Sequence, residues 1–313
     1  MARLDLDAFA NSRLGLRVAA GIGRTAPPLL GAALASTAAH VLVAGPQRDM
    51  VRAVRSNQWV ASGYALTGDA LDELARRTFE HMARSVYDVY HLQDQPRKLL
   101  ARFVTTPAAD DWLDRGMRGE PVILAAGHLS NFELAGRALA LRGVRAQVLS
   151  VPDPTDAYRR QNEERRDLGF DVTPISLAAI RSAEERLRTG GIVITGVDRP
   201  APGVKRRPRF FGRPSELPVL HARLALRTGA HLIAFVPHTR EDGVYELDCL
   251  EVGVAPGHGD EATLSTAEAL LAVMERAIQA HPEQWAMPHA VWPEAIDELD
   301  AAEGQRKEHT RDV

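Results

Sequence analysis

Residues 121–133 read Pro121-Val122-Ile123-Leu124-Ala125-Ala126-Gly127-His128-Leu129-Ser130-Asn131-Phe132-Glu133. The first seven form a short apolar run of the length of a buried strand. A polar hexapeptide follows without a linker, and residues 131–143 continue as an amphipathic helix closed by Gly143. Strand, turn and helix are thus read off one continuous stretch. The same texture repeats downstream. Residues 145–151, 170–175 and 192–198 are strand candidates, separated by helical stretches at 155–168 and 177–189 that end at Gly169 and Gly190-Gly191. A helix over 218–228, with Pro218 in its first turn, leads to strands at 231–238 and 244–252 joined by an Asp242-Gly243 turn. A last long helix covers 264–280 and stops at Pro282.

Working outward from this core, Leu71, Leu74, Ala75, Phe79, Met82, Val86 and Val89 recur at helical spacing within residues 69–90. The alternation predicts an α/β fold, a single domain over 51–300 with a largely parallel central sheet flanked by helices. It is preceded by an N-terminal helical extension (1–50) and followed by a polar tail (301–313). Within the extension, Leu29–Gly45 is apolar but rich in Ala and Gly and interrupted by His40, short and weak for a membrane span. Asp5 and Asp7 argue against a signal peptide. Two readings stand for the segment: helices lying on a membrane surface beside Arg13, Arg17 and Arg24, or helices packed on the domain.

Composition narrows the function. The chain has 313 residues, 45% hydrophobic and 25% charged, with a net charge of −3. That excludes a polytopic membrane protein, a disordered chain and a globally basic nucleic-acid binder. Cys249 is the single cysteine, so neither a disulfide framework nor a cysteine zinc site is available. His128, His221, His231, His238 and His289 are scattered without a close-set ligand pair, and no metal site is expected. The basic residues are almost all arginine, the lysines being Lys98, Lys205 and Lys307. Genome base composition explains most of that bias, so only local clusters carry an argument.

In open α/β sheets ligands gather at the carboxyl ends of the strands. His128 stands at such an end, and Glu133 falls in the first turn of the following helix. An imidazole titrating near neutrality is a common general base, and a carboxylate on its second nitrogen fixes the tautomer. A capping box, Ser130-x-x-Glu133, is a competing account of Ser130 and Glu133, though not of His128. No G-x-S-x-G elbow makes Ser130 a nucleophile, and no phosphate-binding P-loop is present.

The block GHLSNFELAG, residues 127–136, resembles the H-x4-D/E block of glycerolipid-type acyltransferases. It is closest to the branch of late lipid A (lauroyl/myristoyl) acyltransferases and phosphatidylinositol mannoside acyltransferases, which writes it G-H-x-G-N-W-E. Four further blocks agree in order: Val197-Asp198-Arg199; Phe210-Phe211-Gly212-Arg213-Pro214; Ala222–Ala230 as an L-A-x-x-T-G-A helix end; and His281-Pro282-Glu283-Gln284-Trp285 with Trp292. Ser130 stands for the usual Gly, Phe132 for the usual Trp, and Pro200 where many relatives are acidic. Trp285–His289 also lacks the polar pattern often found there.

The resemblance implies O-acyl transfer from a thioester, acyl-CoA or acyl carrier protein, to a hydroxyl of a lipid or glycolipid, with no further cofactor. It implies His128 as base, oriented by Glu133, with Asp198 supplementing or replacing it. Asn131, Arg199, Lys205, Arg206, Arg207, Arg209 and Arg213 are the candidate substrate-binding residues. The basic run 199–213 is read as a clamp on CoA phosphates or lipid headgroups, the alternative being a solvated loop. Backbone N–H groups or Arg199 are alternatives for the oxyanion. The expected setting is peripheral, on the cytoplasmic face of the inner membrane. The rival is a non-catalytic lipid- or acyl-CoA-binding protein on the same scaffold.

Overall fold

Strand pairing decides where the site lies. The computed structural model of the chain describes residues 20–45, 49–201 and 203–311. Its helical N-terminal part holds α1 (Pro28–Val43), α2 (Asp49–Ala61), α3 (Asp69–Leu92) and α4 (Pro96–Ala101). The sheet region runs β1 (Phe103–Thr105), α5 (Pro107–Met117), β2 (Pro121–Ala126), α6 (Phe132–Leu141), β3 (Ala146–Ser150), α7 (Asp156–Asp167) and β4 (Asp171–Pro174). It continues with α8 (Leu177–Arg188), β5 (Gly191–Gly196), the hairpin β6 (Arg209–Phe210) and β7 (Arg213–Pro214), and α9 (Leu220–Thr228). β8 (His231–Thr239), β9 (Tyr245–Val252), α10 (Asp260–Ala280), a 3-10 turn (Pro282–Gln284) and α11 (Glu294–Arg311) complete it.

Seven strands form one sheet in the order β1-β9-β8-β2-β5-β3-β4. β8, β2, β5, β3 and β4 run parallel, β9 is antiparallel to β8, and β1 is parallel to β9. The fold is therefore α/β with a largely parallel sheet. β2 sits in its middle, and Val122, Ile123, Leu124 and Ala125 are all buried, as expected of a strand covered on both faces. One core face holds Ile123, Ala125 and Val193 with α8, α9 and α10 residues. The other holds Val122, Leu124 and Ile192 with α5 and α6 residues.

Several local expectations change. α9 starts at Leu220 behind the N-cap Val219, so Pro218 precedes the helix instead of entering its first turn. Residues 103–117 hold a three-residue strand and a helix capped by Thr106, whose side chain accepts from the Ala109 N–H. The chain is helical through Arg311 where a polar tail is expected. Ala295 and Leu299 are buried, and Asp300 and Glu303 pair with Arg52 and Arg55 of α2.

α1 packs on the domain along one face. Gly31, Ala35 and Ala39 are buried on one stripe, and a Cβ on Gly31 would lie 2.4 Å from the Tyr87 ring of α3. The glycine thus allows close helix contact. On the outer side Leu29 is 88% exposed, and Leu30 and Leu34 are also exposed. Arg13 and Arg17 lie outside the described residues. No helix among the described residues is long and apolar enough to cross a membrane.

Candidate active site

β2 and β5 pair in parallel register with Ala126 opposite Gly196. Two residues beyond each strand end come His128 and Asp198, so the register itself brings them together at the carboxyl edge. Asp198 Oδ1 lies 2.7 Å from His128 Nδ1. Asp198 Oδ2 accepts the His128 backbone N–H at 2.8 Å and the Trp285 indole N–H at 3.0 Å. Burial works against the Asp198 charge, but the adjacent His128 imidazole and these donors outweigh it and hold the carboxyl below its ordinary range. Such a partner keeps the imidazole proton on Nδ1 and leaves Nε2 a lone pair.

The His128 turn is held from the far end of the chain. The Ala286 N–H donates to His128 O at 2.8 Å, and the Ser130 N–H to Gln284 O at 2.8 Å. Gln284 is fixed in turn by two side-chain bonds to the Thr239 backbone, 2.7 and 2.8 Å. Ser130 has φ 49°, the left-handed region, and its hydroxyl lies 2.6 Å from that of Thr239. A glycine at this position in the resembled block fits that backbone. Behind Trp285, Phe210 stacks on Trp292 with ring centroids 5.6 Å apart and meets Trp285 edge-on at 5.9 Å. Phe211 and Gly212, at φ 49° and 74°, make the two-residue turn that joins β6 to β7.

Other sequence-derived assignments are redistributed. Glu133 does not orient His128: its carboxylate is held by Arg165 of α7 in a two-bond ion pair, while Asp198 occupies His128 Nδ1. Nor is there a capping box, because the N-cap of α6 is Asn131, whose Oδ1 accepts from the Leu134 N–H. Asn131 Nδ2 donates to Ser85 O of α3. With both polar atoms engaged and the residue buried, Asn131 anchors the turn instead of meeting substrate.

Most of the basic run is engaged as well. Arg206 pairs with Asp260, Arg207 with Glu216, and Arg213 with Glu294 and Glu298. Arg209 bonds to Gly212 O at 3.0 Å, while Lys205 is exposed. These carboxylates lie outside the run, which is why the local sequence looked uncompensated. Arg199 is placed differently: its guanidinium lies 5.5 Å from the Tyr158 ring centroid. His289, read from sequence as a surface or packing residue, is exposed and feels the Arg199 charge. Partial desolvation lowers its pKa, with Arg199 and then His128 adding to the effect. Trp285 was visible as part of a sequence block, but its bond to Asp198 was not. Among the described residues, no group of three or more His, Cys, Asp or Glu is placed to hold a metal ion.

A cavity of about 120 Å³ opens beside His128, between the sheet and the helices α6 and α7. Phe132, Leu139, Val148, Leu168, Phe170 and Ile194 make its wall largely apolar. Phe132 also meets the His128 ring edge-on at 4.9 Å. Two ion pairs, Arg165–Glu133 and Arg137–Glu164, join α6 to α7 along its rim. An imidazole–carboxylate pair at the end of an apolar cavity can activate a hydroxyl against a group whose tail is hydrocarbon.

Comparison with known proteins identifies the family. Residues 67–293 match the family model described as bacterial lipid A biosynthesis acyltransferase. The chain is 30% identical over 245 residues to a phosphatidylinositol mannoside acyltransferase of Mycobacterium tuberculosis (strain CDC 1551 / Oshkosh), covering 74% of each chain. It is 25% identical over 228 residues to the protein of that name from Mycolicibacterium smegmatis (strain ATCC 700084 / mc(2)155), covering 72% of this chain and 74% of the relative. With most of its length matched, including the His128 turn, both strands that carry the pair and the Trp285 strap, the chain belongs to the bacterial lipid A biosynthesis acyltransferase family.

Proposed function

We propose that this acyltransferase moves a fatty acyl chain from an acyl thioester, acyl-CoA or acyl carrier protein, to a hydroxyl of a mannosylated phosphoinositide or related glycolipid. The single observation that carries the reading is the His128–Asp198 pair at one end of an apolar cavity. The names of the relatives supply the acceptor class. His128 Nε2 takes the acceptor hydroxyl proton as the oxygen bonds to the thioester carbonyl carbon. Asp198 stabilises the resulting imidazolium. The tetrahedral intermediate then collapses, the C–S bond breaks, and the thiolate leaves with the proton from His128. Arg199 and the first N–H groups of α6 are the nearby positive dipoles suited to the transient oxyanion.

The reading places the enzyme on a membrane surface, since both acyl product and acceptor are lipids. The exposed Leu29, Leu30 and Leu34 of α1 support that. The test is product identification. Labelled palmitoyl-CoA, incubated with the protein and a panel of mannosylated phosphoinositides, is expected to yield one labelled ester, located by mass spectrometry on a sugar or inositol hydroxyl. Label that goes only to water, or to an amine, would reject the acceptor class.

A further inference from the structure

Three strands expose side chains where a packed sheet would bury them. On β2, β3 and β5, Ala126, Val148 and Ile194 are only partly buried, and Gly196 is exposed. All four line the cavity beside His128. Opposite them α6 presents Gly136, also a lining residue. A Cβ built on Gly136 meets no heavy atom within 4 Å, nor does one on Gly196. Other glycines are needed for packing: a Cβ on Gly116 would lie 2.8 Å from Ile192, and one on Gly31 2.4 Å from Tyr87.

Gly136 has no such reason. It lies inside a helix, where glycine is about 1 kcal/mol worse than alanine, and its φ is not positive. Neither backbone conformation nor contact with the rest of the chain requires it. What the missing side chain preserves is space. Along α6, at about 1.5 Å per residue, Gly136 sits about 6 Å beyond Phe132, which touches His128. Leu139 follows about 10 Å beyond Phe132 and also lines the cavity. A chain whose carbonyl is at His128 would therefore pass Gly136 before reaching Leu139 and Phe170.

We infer that Gly136 determines acyl-chain selectivity, its missing side chain keeping open the inner half of the channel that takes the donor's hydrocarbon tail. The inference rests on the acyl-thioester reading above and adds the residue that sets chain length. At about 120 Å³ the space is small beside the ~300–1,000 Å³ of ordinary ligand pockets. A side chain added at Gly136, a lining residue with open space around its Cβ position, narrows it.

The test compares wild type with Gly136→Ala and Gly136→Leu, using butyryl and palmitoyl thioesters. The measured quantity is the palmitoyl-to-butyryl ratio of kcat/KM. In Gly136→Leu this ratio is expected to fall on the order of 100-fold, the loss expected when three or four methylenes are no longer buried. Gly136→Ala should shift it in the same direction by less while melting no lower than wild type, which guards against a folding artefact. Binding gives a readout independent of turnover. Palmitic acid should raise the Tm of wild type and not that of Gly136→Leu. A ratio within about threefold of wild type, or equal palmitate-induced Tm shifts, overturns the assignment. If instead His128→Ala keeps full transfer, the catalytic reading fails while the palmitate comparison still decides the role of Gly136.

Discussion

Asp198→Asn removes one charge and changes almost no volume, so its consequence can be worked out atom by atom. Asparagine offers one acceptor oxygen where aspartate offers two. Two N–H groups, the His128 backbone and the Trp285 indole, converge on Oδ2 at 2.8 and 3.0 Å. The amide keeps both only if its oxygen takes that position. Its NH2 then faces His128 Nδ1, which is 2.7 Å from Oδ1 in the native protein. Nδ1 must accept, the ring proton moves to Nε2, and the nitrogen turned to substrate becomes a donor. The flipped amide would leave two buried N–H groups unpaired, at about 1–3 kcal/mol each, so the inactive tautomer is favoured. A histidine held in the wrong tautomer by this same change loses about 10⁴ in kcat in the Ser-His-Asp triad, or about 5.4 kcal/mol of barrier. Single-turnover transfer from a labelled acyl thioester measures the rate, and nitrogen NMR of the His128 ring reports the tautomer. A variant within tenfold of wild type, or with its proton still on Nδ1, would refute the reasoning. Glu133→Gln is the control and should keep most of its turnover, because its partner is Arg165.

Trp285→Phe keeps the ring beside Phe210 but removes the N–H on Asp198. A hydrogen bond to a charged group is worth about 1.5–3 kcal/mol, so kcat should fall roughly 10- to 100-fold with little change in KM. An equal loss in Trp285→Ala and Trp285→Phe supports the N–H, and a silent Phe variant rejects it. Stability should decline in mild acid. His221 is fully buried with neither ring nitrogen bonded, and burial lowers its pKa to about 3. Below the unfolded value near 6.5 the unfolded chain binds the extra proton. His221 therefore removes up to about 1.4 kcal/mol per pH unit as pH falls from 6.5 towards its folded pKa. His221→Leu should flatten the decline of Tm between pH 6.5 and 4; an unchanged slope contradicts this. Replacing Leu29, Leu30 and Leu34 together by Ser should release the protein from anionic vesicles without lowering Tm, since all three are exposed; undiminished sedimentation would exclude this face as the anchor.

Much of the fold was legible because the central strands are short apolar runs closed off by helix-ending glycines. Gly143, Gly169, Gly190 and Gly229 all have positive φ at helix ends. β1 was missed because three residues, Phe103-Val104-Thr105, carry no periodicity; the Thr106-Pro107 start of α5 was a readable signal. At the site, His128 was legible from its strand-end position. Its partner was legible only as a choice between Glu133, near in sequence, and Asp198, near in space. Strand register, which no local pattern encodes, makes that choice. The basic run misled for a related reason. Apart from Glu216, its neutralising acids, Asp260, Glu294 and Glu298, come from α10 and α11, remote in sequence. Gly136 carried no sequence signal, because its place on the cavity wall comes from how α6 packs over the sheet.

The central claim is that His128 Nε2, poised by Asp198, takes the proton of the accepting hydroxyl. Its most direct measurement is the single-turnover rate of acyl transfer by purified wild type and His128→Ala, at saturating thioester and glycolipid, with Tm recorded for both. The account predicts matched melting and a transfer rate lowered by about 10²–10⁴ in the variant, the range for loss of a general base. A folded His128→Ala protein that transfers at the wild-type rate would contradict it.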